Sequence, residues 1–185
     1  MLTTTLSQLH QLKLSGMAKA LSQQLEQPGQ YLDLCFAERL QLLTDQEIHE
    51  RDNRKQQRLL KQAQLKLAAN AHGIDYQHPR GLQKSVMTGL LQCDWLQRQQ
   101  NLLLTGPCGT GKTYIACALA NTACLKGYTV KYYRVSRLLM ELTQAKADGT
   151  YSKKLKSLAK LNLLILDDWG LEPLKAAQRN DLMEI

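Results

Sequence analysis

Apolar residues recur at helical spacing through the first part of the chain. Leu14, Met17, Leu21 and Leu25 stand three and four apart, which predicts a helix over residues 6–27. Gly16 weakens that helix, and Pro28-Gly29 ends it. From Gln30 to His72 neither Gly nor Pro occurs, and helix formers dominate. Thr44, with Glu47 three residues later, is a candidate capping box, so the stretch reads as either one helix or two. Residues 73–81 form a breaker-rich loop with Gly73, Pro79 and Gly81. This loop divides an N-terminal helical region, residues 1–72, from a second region, residues 73–185. Residues 82–100 read as helical, with Leu82, Val86, Leu90 and Leu91 as the expected buried stripe.

After residue 100 the period changes. Leu102, Leu103 and Leu104 form a short apolar run that reads as a strand and ends in Thr105-Gly106. Residues 112–126 suit a helix. Residues 128–135 are β-branched and aromatic and suit a strand. Residues 137–147 and 151–160 suit helices. Leu163 to Leu166 is a second short apolar run, a buried strand by its length and flanks, and residues 176–185 begin another helix. Strands alternating with helices predict an α/β fold with a parallel sheet, preceded by the N-terminal helical region.

Composition adds constraints. Of 185 residues 44% are hydrophobic, but no apolar run approaches the roughly 18 residues of a membrane span, so no membrane partner is expected. Five cysteines, an odd count with no CxxC pair, read as free thiols in a reducing cytoplasm. The N-terminus Met1-Leu2-Thr3-Thr4-Thr5 has no signal pattern, which fits a cytoplasmic protein. The net charge of +8 favours nucleic acid or another anionic partner, with a merely solvated surface as the other reading. Arg51, Arg54, Lys55 and Arg58 share a helical face, and Lys153, Lys154, Lys156 and Lys160 form a second basic patch. Each patch reads as a phosphate-tracking surface or as a solvated helix face. Trp95 and Trp169 read as core aromatics.

The chemistry concentrates in Gly106-Pro107-Cys108-Gly109-Thr110-Gly111-Lys112-Thr113, which fits GxxxxGK[ST]. Glycines let backbone N–H groups curl round phosphates with no Cβ in the way. The helix that follows points its positive end at the same anion. Lys112 reaches the β- and γ-phosphates of ATP, and the Thr113 hydroxyl is a Mg²⁺ ligand. Cys108 reads as a packing residue rather than a nucleophile. The run Leu163-Leu164-Ile165-Leu166-Asp167-Asp168 describes a buried strand that delivers two carboxylates at its end. Asp167 is a candidate to hold Mg²⁺ through water. Asp168 is a candidate general base for the attacking water, or a cap on the next helix.

Several stretches together resemble the IstB/DnaC type of AAA+ ATPase, and more closely the IstB-like helper proteins of insertion-sequence transposition. They are Leu12-Lys13-Leu14-Ser15-Gly16-Met17-Ala18, His78-Pro79-Arg80-Gly81-Leu82, Cys93-Asp94-Trp95, the run from Gly111-Lys112-Thr113-Tyr114 to Ala120, Ala147-Asp148-Gly149-Thr150-Tyr151, and Leu166-Asp167-Asp168-Trp169-Gly170-Leu171. The resemblance covers essentially the whole chain. It implies a P-loop NTPase sheet and an ATP-binding protein that acts with a transposase on double-stranded DNA through ATP-dependent self-association. It adds Tyr114 to the nucleotide-contacting residues and places the loop from Tyr76 to Leu82 against adenine. A helicase loader of the DnaC type, or a non-catalytic nucleotide-binding fragment, remains as an alternative.

The chain departs from that family at its end. It stops at Ile185, whereas family members continue into a strand with a sensor residue, an arginine finger and a second sensor arginine. An arginine finger is worth roughly 10³–10⁵ in rate where it has been measured. The expectation is therefore an incomplete AAA+ sheet and poor ATP hydrolysis. The missing strand would lie between the strand carrying the phosphate loop and the strand carrying Asp167, so each would show an open edge and the chain would be marginally stable.

Overall fold

The structure, a computed structural model, describes residues 2–78 and 81–185. Two compact units divide it, residues 1–57 and residues 58–185.

In the first unit, α1 (Leu2–Gln11) and α2 (Ser15–Glu26) replace the single helix expected over 6–27. Lys13 takes a left-handed φ of 59°, and Leu14 N–H bonds back to the Leu9 carbonyl, so the chain turns between the two. Gly16 is not a weak point of a long helix. It is buried in the first turn of α2, where an added Cβ would lie 2.6 Å from the Glu47 Cα. A 28-residue helix, α3 (Phe36–Ala63), begins in this unit and continues into the second. It is one helix, because the proposed capping pair is used otherwise. The Thr44 hydroxyl donates to the Gln41 carbonyl, and the Glu47 carboxylate accepts the Gly16 and Met17 N–H groups of α2. Glu47 is thus a helix cap, but for α2. Gln24 and Arg39 exchange hydrogen bonds and tie α2 to α3 a second time.

In the second unit, α4 (Lys84–Leu91) and one-turn α5 (Asp94–Gln97) are separated at Cys93, whose φ is 65°. The buried residue of α4 is Met87, whereas Val86 points to solvent. The expected stripe was one position out of phase there, and Leu82, Leu90 and Leu91 are only partly buried. α6 (Lys112–Leu125) follows the glycine-rich loop. β1 (Val130–Arg134), α7 (Val135–Ala147), α8 (Tyr151–Leu158), β2 (Leu163–Asp167) and α9 (Ala176–Met183) complete the unit.

β1 and β2 pair in parallel, from Val130 opposite Leu163 to Arg134 opposite Asp167. Strand periodicity then sorts the side chains to two faces. Val130, Tyr132, Leu163 and Ile165 meet the small buried residues of α6, among them Cys117, Ala118, Ala120 and Ala123. Tyr133, Leu164 and Leu166 meet Leu138 and Leu142 of α7 and Leu158 of α8. The result is a sheet covered by helices on both faces, the α/β class that the alternation predicted.

Leu102 to Leu104 do not form the expected strand. Residues 101–105 have no ladder partner among the described residues, and Leu103 is 84% exposed. An extended segment becomes a strand only when a neighbour takes its N–H and C=O groups. β2 is only partly buried along its length. Among the described residues, no helix is long and apolar enough to cross a membrane.

Candidate functional site

The site lies at the C-terminal ends of β1 and β2, where they meet the start of α6. Gly106, Gly109 and Gly111 have φ of 146°, 82° and 85°, conformations that side chains with a Cβ rarely adopt. They bend the loop so that it enters α6 at Lys112 with Gly111 as its N-cap. Thr110 closes the bend by donating to the Pro107 carbonyl at 2.9 Å. Lys112 Nζ folds back and donates to the Gly106 and Pro107 carbonyls at 2.8 and 2.7 Å. The ammonium group therefore already lies over the concave side of the loop. Cys108 is exposed, not buried as the packing role expected of it would require.

Thr113, in the first turn of α6, donates its hydroxyl to Asp167 Oδ2 at 2.9 Å across 54 residues of sequence. Tyr132 donates its phenol to the same oxygen at 2.5 Å, and Lys66 Nζ lies 3.7 Å from it. The Asp168 N–H donates to Asp167 Oδ1 at 3.0 Å. Burial alone would raise the Asp167 carboxyl. The hydrogen bonds from Tyr132, Thr113 and Asp168 and the charge of Lys66 outweigh it and hold the group below its ordinary value. Burial, reinforced by the Asp167 bond, pushes the Tyr132 phenol up.

Asp168 sits just past the strand with φ 59° and receives Arg134 Nε at 2.6 Å. Arg134 and Asp167 are opposite each other in the ladder, so β1 delivers its last side chain beside the paired carboxylates. Asp168 caps no helix, since α9 begins at Ala176 with Lys175 as its N-cap.

Tyr114 turns away from the glycine loop. Its hydroxyl presses on Gly73, where a Cβ would collide with it. Tyr76, Leu82 and Tyr114 pack against one buried cluster that includes Ile74, Met87 and Ile115. Of the loop expected against adenine, Pro79 and Arg80 lie outside the described residues. Trp169 is 58% exposed and is no core residue. Trp95 is partly buried and donates its indole N–H to the Leu90 carbonyl.

The structure thus brings Lys112, Thr113, Asp167 and Asp168 to one end of the sheet. Sequence reasoning passed over Lys66, Tyr132 and Arg134. The last two sit in a segment recognised as a strand, and the position after a buried tyrosine at its C-terminal end was the available signal. Lys66 follows α3 and carried none.

The two basic patches also change. Arg51 pairs with Glu47, and Arg54 lies within ion-pair distance of Glu47 and Glu50. Lys154 turns inward to Glu141 and the Tyr133 hydroxyl, leaving Lys153, Lys156 and Lys160 on the surface.

The donor set fits a small divalent cation. Thr113 offers a hydroxyl oxygen to the ion, and Asp167, which accepts that hydroxyl at 2.9 Å, places a carboxylate within reach of the ion through water. Two protein oxygens suffice where phosphates and water supply the rest.

The family of IstB-like ATP binding proteins matches residues 7–185. A protein of Pseudomonas fluorescens, named as an ATP-binding protein of insertion sequence IS1162, is 48% identical over 98% of this chain and 78% of its own length. One from Sinorhizobium fredii, also named as an insertion-sequence ATP-binding protein, is 41% identical over 98% of this chain and 74% of its own length. A relative from Mycobacterium tuberculosis, named in the same terms, is 32% identical over 96% of this chain and 70% of its own.

Proposed function

The chain belongs to the IstB-like ATP-binding protein family, and from that premise we propose that it is an ATP-binding helper of DNA transposition, acting with a transposase on double-stranded DNA through ATP-dependent assembly in the cytoplasm. The observation that carries the nucleotide part is the 2.9 Å bond between Thr113 and Asp167. It joins the glycine-rich loop and its helix directly to the strand-end carboxylate.

The roles follow from position. The N–H groups of residues 106–111 and the positive end of α6 cradle phosphate. Lys112 leaves the Gly106 and Pro107 carbonyls for a phosphate oxygen, a stronger acceptor. Thr113 and Asp167 hold Mg²⁺, which supplies charge neutralisation at the phosphates. Asp168 orients and deprotonates the attacking water. Its ion pair with Arg134 opposes that role, so we read the chain alone as a slow ATPase until Arg134 is drawn away.

The N-terminal helical region, residues 1–72, is assigned to partner contact. Leu32, in the connection before α3, and Phe36, its first residue, are about four-fifths exposed, which supports a docking role. The loop from Tyr76 to Leu82 is assigned to adenine, supported by the packing of Tyr76 and Leu82 against the same cluster as Tyr114.

Fluorescent ATP titrated with and without Mg²⁺ tests the reading. Binding should strengthen with Mg²⁺, and Lys112→Ala should weaken it by about tenfold or more, the loss of a charge-assisted hydrogen bond. Equal affinity of wild type and Lys112→Ala would overturn it. Retention of transposase by the chain in a pull-down, increased by ATP and duplex DNA, tests the partner assignment.

A further inference from the structure

Six basic side chains line a surface groove of the second unit and a depression that adjoins it. The groove is lined by the end of α3 with Arg58 and Lys61, by β1 with Lys131, and by the end of α8 with Lys160. Its volume is about 820 Å³. A second depression of about 450 Å³ shares Ser157 and Lys160 with it and adds Lys153 and Lys156. No acidic residue lines either.

The acids of this unit that form ion pairs do so elsewhere. Asp167 faces Lys66, Asp168 faces Arg134, Glu141 faces Lys154 and Arg137, and Asp181 faces Lys146. None of the six groove cations makes an ion pair among the described residues. Lys131 is held in place by the Gln62 carbonyl and by Gln64 Oε1, at 3.1 and 2.7 Å. Its partial burial, and then the charge of Lys154, lower its pKa, and Glu141, which does not line the groove, only partly offsets them. A cation crowded in this way, with no carboxylate in the groove, is relieved by an anion.

The shape and chemistry select the anion. Tyr133 is buried with its hydroxyl taken by Lys154, so the groove presents no free ring on which a base could stack. What remains is a row of ammonium and guanidinium groups spread over three elements. Such a row reads phosphates, not base edges. It also lies beside the first residues of β1, whereas the nucleotide site lies beyond the last.

We propose that the groove of Arg58, Lys61, Lys131, Lys153, Lys156 and Lys160 holds the phosphate backbone of duplex DNA, without regard to base sequence. The proposal rests on the reading above that the chain acts on duplex DNA, and it names the surface that does so. ATP and DNA then occupy opposite ends of the same strand.

Fluorescence anisotropy of a labelled duplex of arbitrary sequence tests it. The variants are K153E/K156E/K160E on and just after α8 and R58E/K61E on α3, each repeated with Gln in place of Glu. The control is K84E/R98E/K175E, exposed positions of the same unit outside the groove, which changes net charge as much as the first. Circular dichroism and fluorescent-ATP binding report that each variant is folded.

Both groove variants should lose more than about tenfold in duplex affinity while the control loses little. The wild-type salt slope, up to about −5 for six phosphates, should shrink in magnitude with each groove variant. Duplex affinity equal in groove variants and control would overturn this proposal alone. No duplex binding by the wild type, with ATP binding intact, would overturn it together with the DNA part of the proposed function. Tighter binding to single-stranded DNA, or to phosphatidylserine vesicles but not duplex, would also overturn it.

Discussion

The Tyr132 phenol donates to Asp167 Oδ2 at 2.5 Å, the same oxygen that accepts the Thr113 hydroxyl. The strand-end carboxylate is thereby oriented from its neighbouring strand as well as from the phosphate loop. Tyr132→Phe removes one hydrogen bond to a charged acceptor and leaves the ring in place. The expected loss is about 1.5–3 kcal/mol of stability, read as a lower denaturation midpoint. Mg²⁺ enhancement of ATP binding should fall with it, because Asp167 is freer to turn. An unchanged midpoint would show that the bond contributes nothing.

Arg134 restrains Asp168 across an exposed ion pair. Arg134→Gln should raise ATP turnover, measured as phosphate release at saturating ATP. Asp168→Asn should lower whatever turnover is found by about 10²-fold or more while sparing ATP binding, as expected of a general base. A loss of turnover in Arg134→Gln would assign Arg134 to the chemistry instead.

Gly16→Ala should destabilise the first unit by about 1–3 kcal/mol, as overpacking does. Ordinarily this change stabilises a helix by roughly 0.5–1 kcal/mol. Here the new Cβ would lie 2.6 Å from the Glu47 Cα and 2.7 Å from the Gln46 carbonyl oxygen, and a backbone cannot give way cheaply. Gly29→Ala, with nothing within 4 Å of the added atom, is the control and should be close to neutral. Thermal melts of the two variants decide the sign.

Glu47 makes the same unit sensitive to acid. Burial alone would raise its carboxyl, but Arg51 and the N–H groups of Met17 and Gly16 bring it below the ordinary value. A depressed carboxyl adds stability that is complete above its unfolded pKa. That stability is lost as pH falls through the folded one. Denaturation midpoints of wild type and Glu47→Gln should therefore differ most at neutral pH and converge in acid. A constant gap from pH 7 to pH 3 would exclude the effect.

The chain's order of residues determined a good deal unaided. The period changes located α6, α7, α8 and both strands, because an amphipathic pattern and a short apolar run each suit one backbone. GxxxxGKT located the bent glycine loop that enters α6, because so few residue types permit its bends. The acid pair after Leu163-Leu164-Ile165-Leu166 located the second half of the site.

Tertiary structure decided what depends on a partner distant in the sequence. Leu102 to Leu104 have strand composition but no ladder, since pairing is a property of two segments. Thr44 and Glu47 spell a capping box, yet Glu47 serves α2, because two N–H groups 30 and 31 residues earlier point at it. Lys154 belongs by spacing to a basic face, but a carboxylate on α7 draws it inward. The basic groove joins α3, β1 and α8, and Tyr132 and Arg134 reach Asp167 and Asp168 only because β1 lies in register with β2. Local patterning is written in short windows of sequence. Which side chains face one another is settled only when the sheet and its helices close.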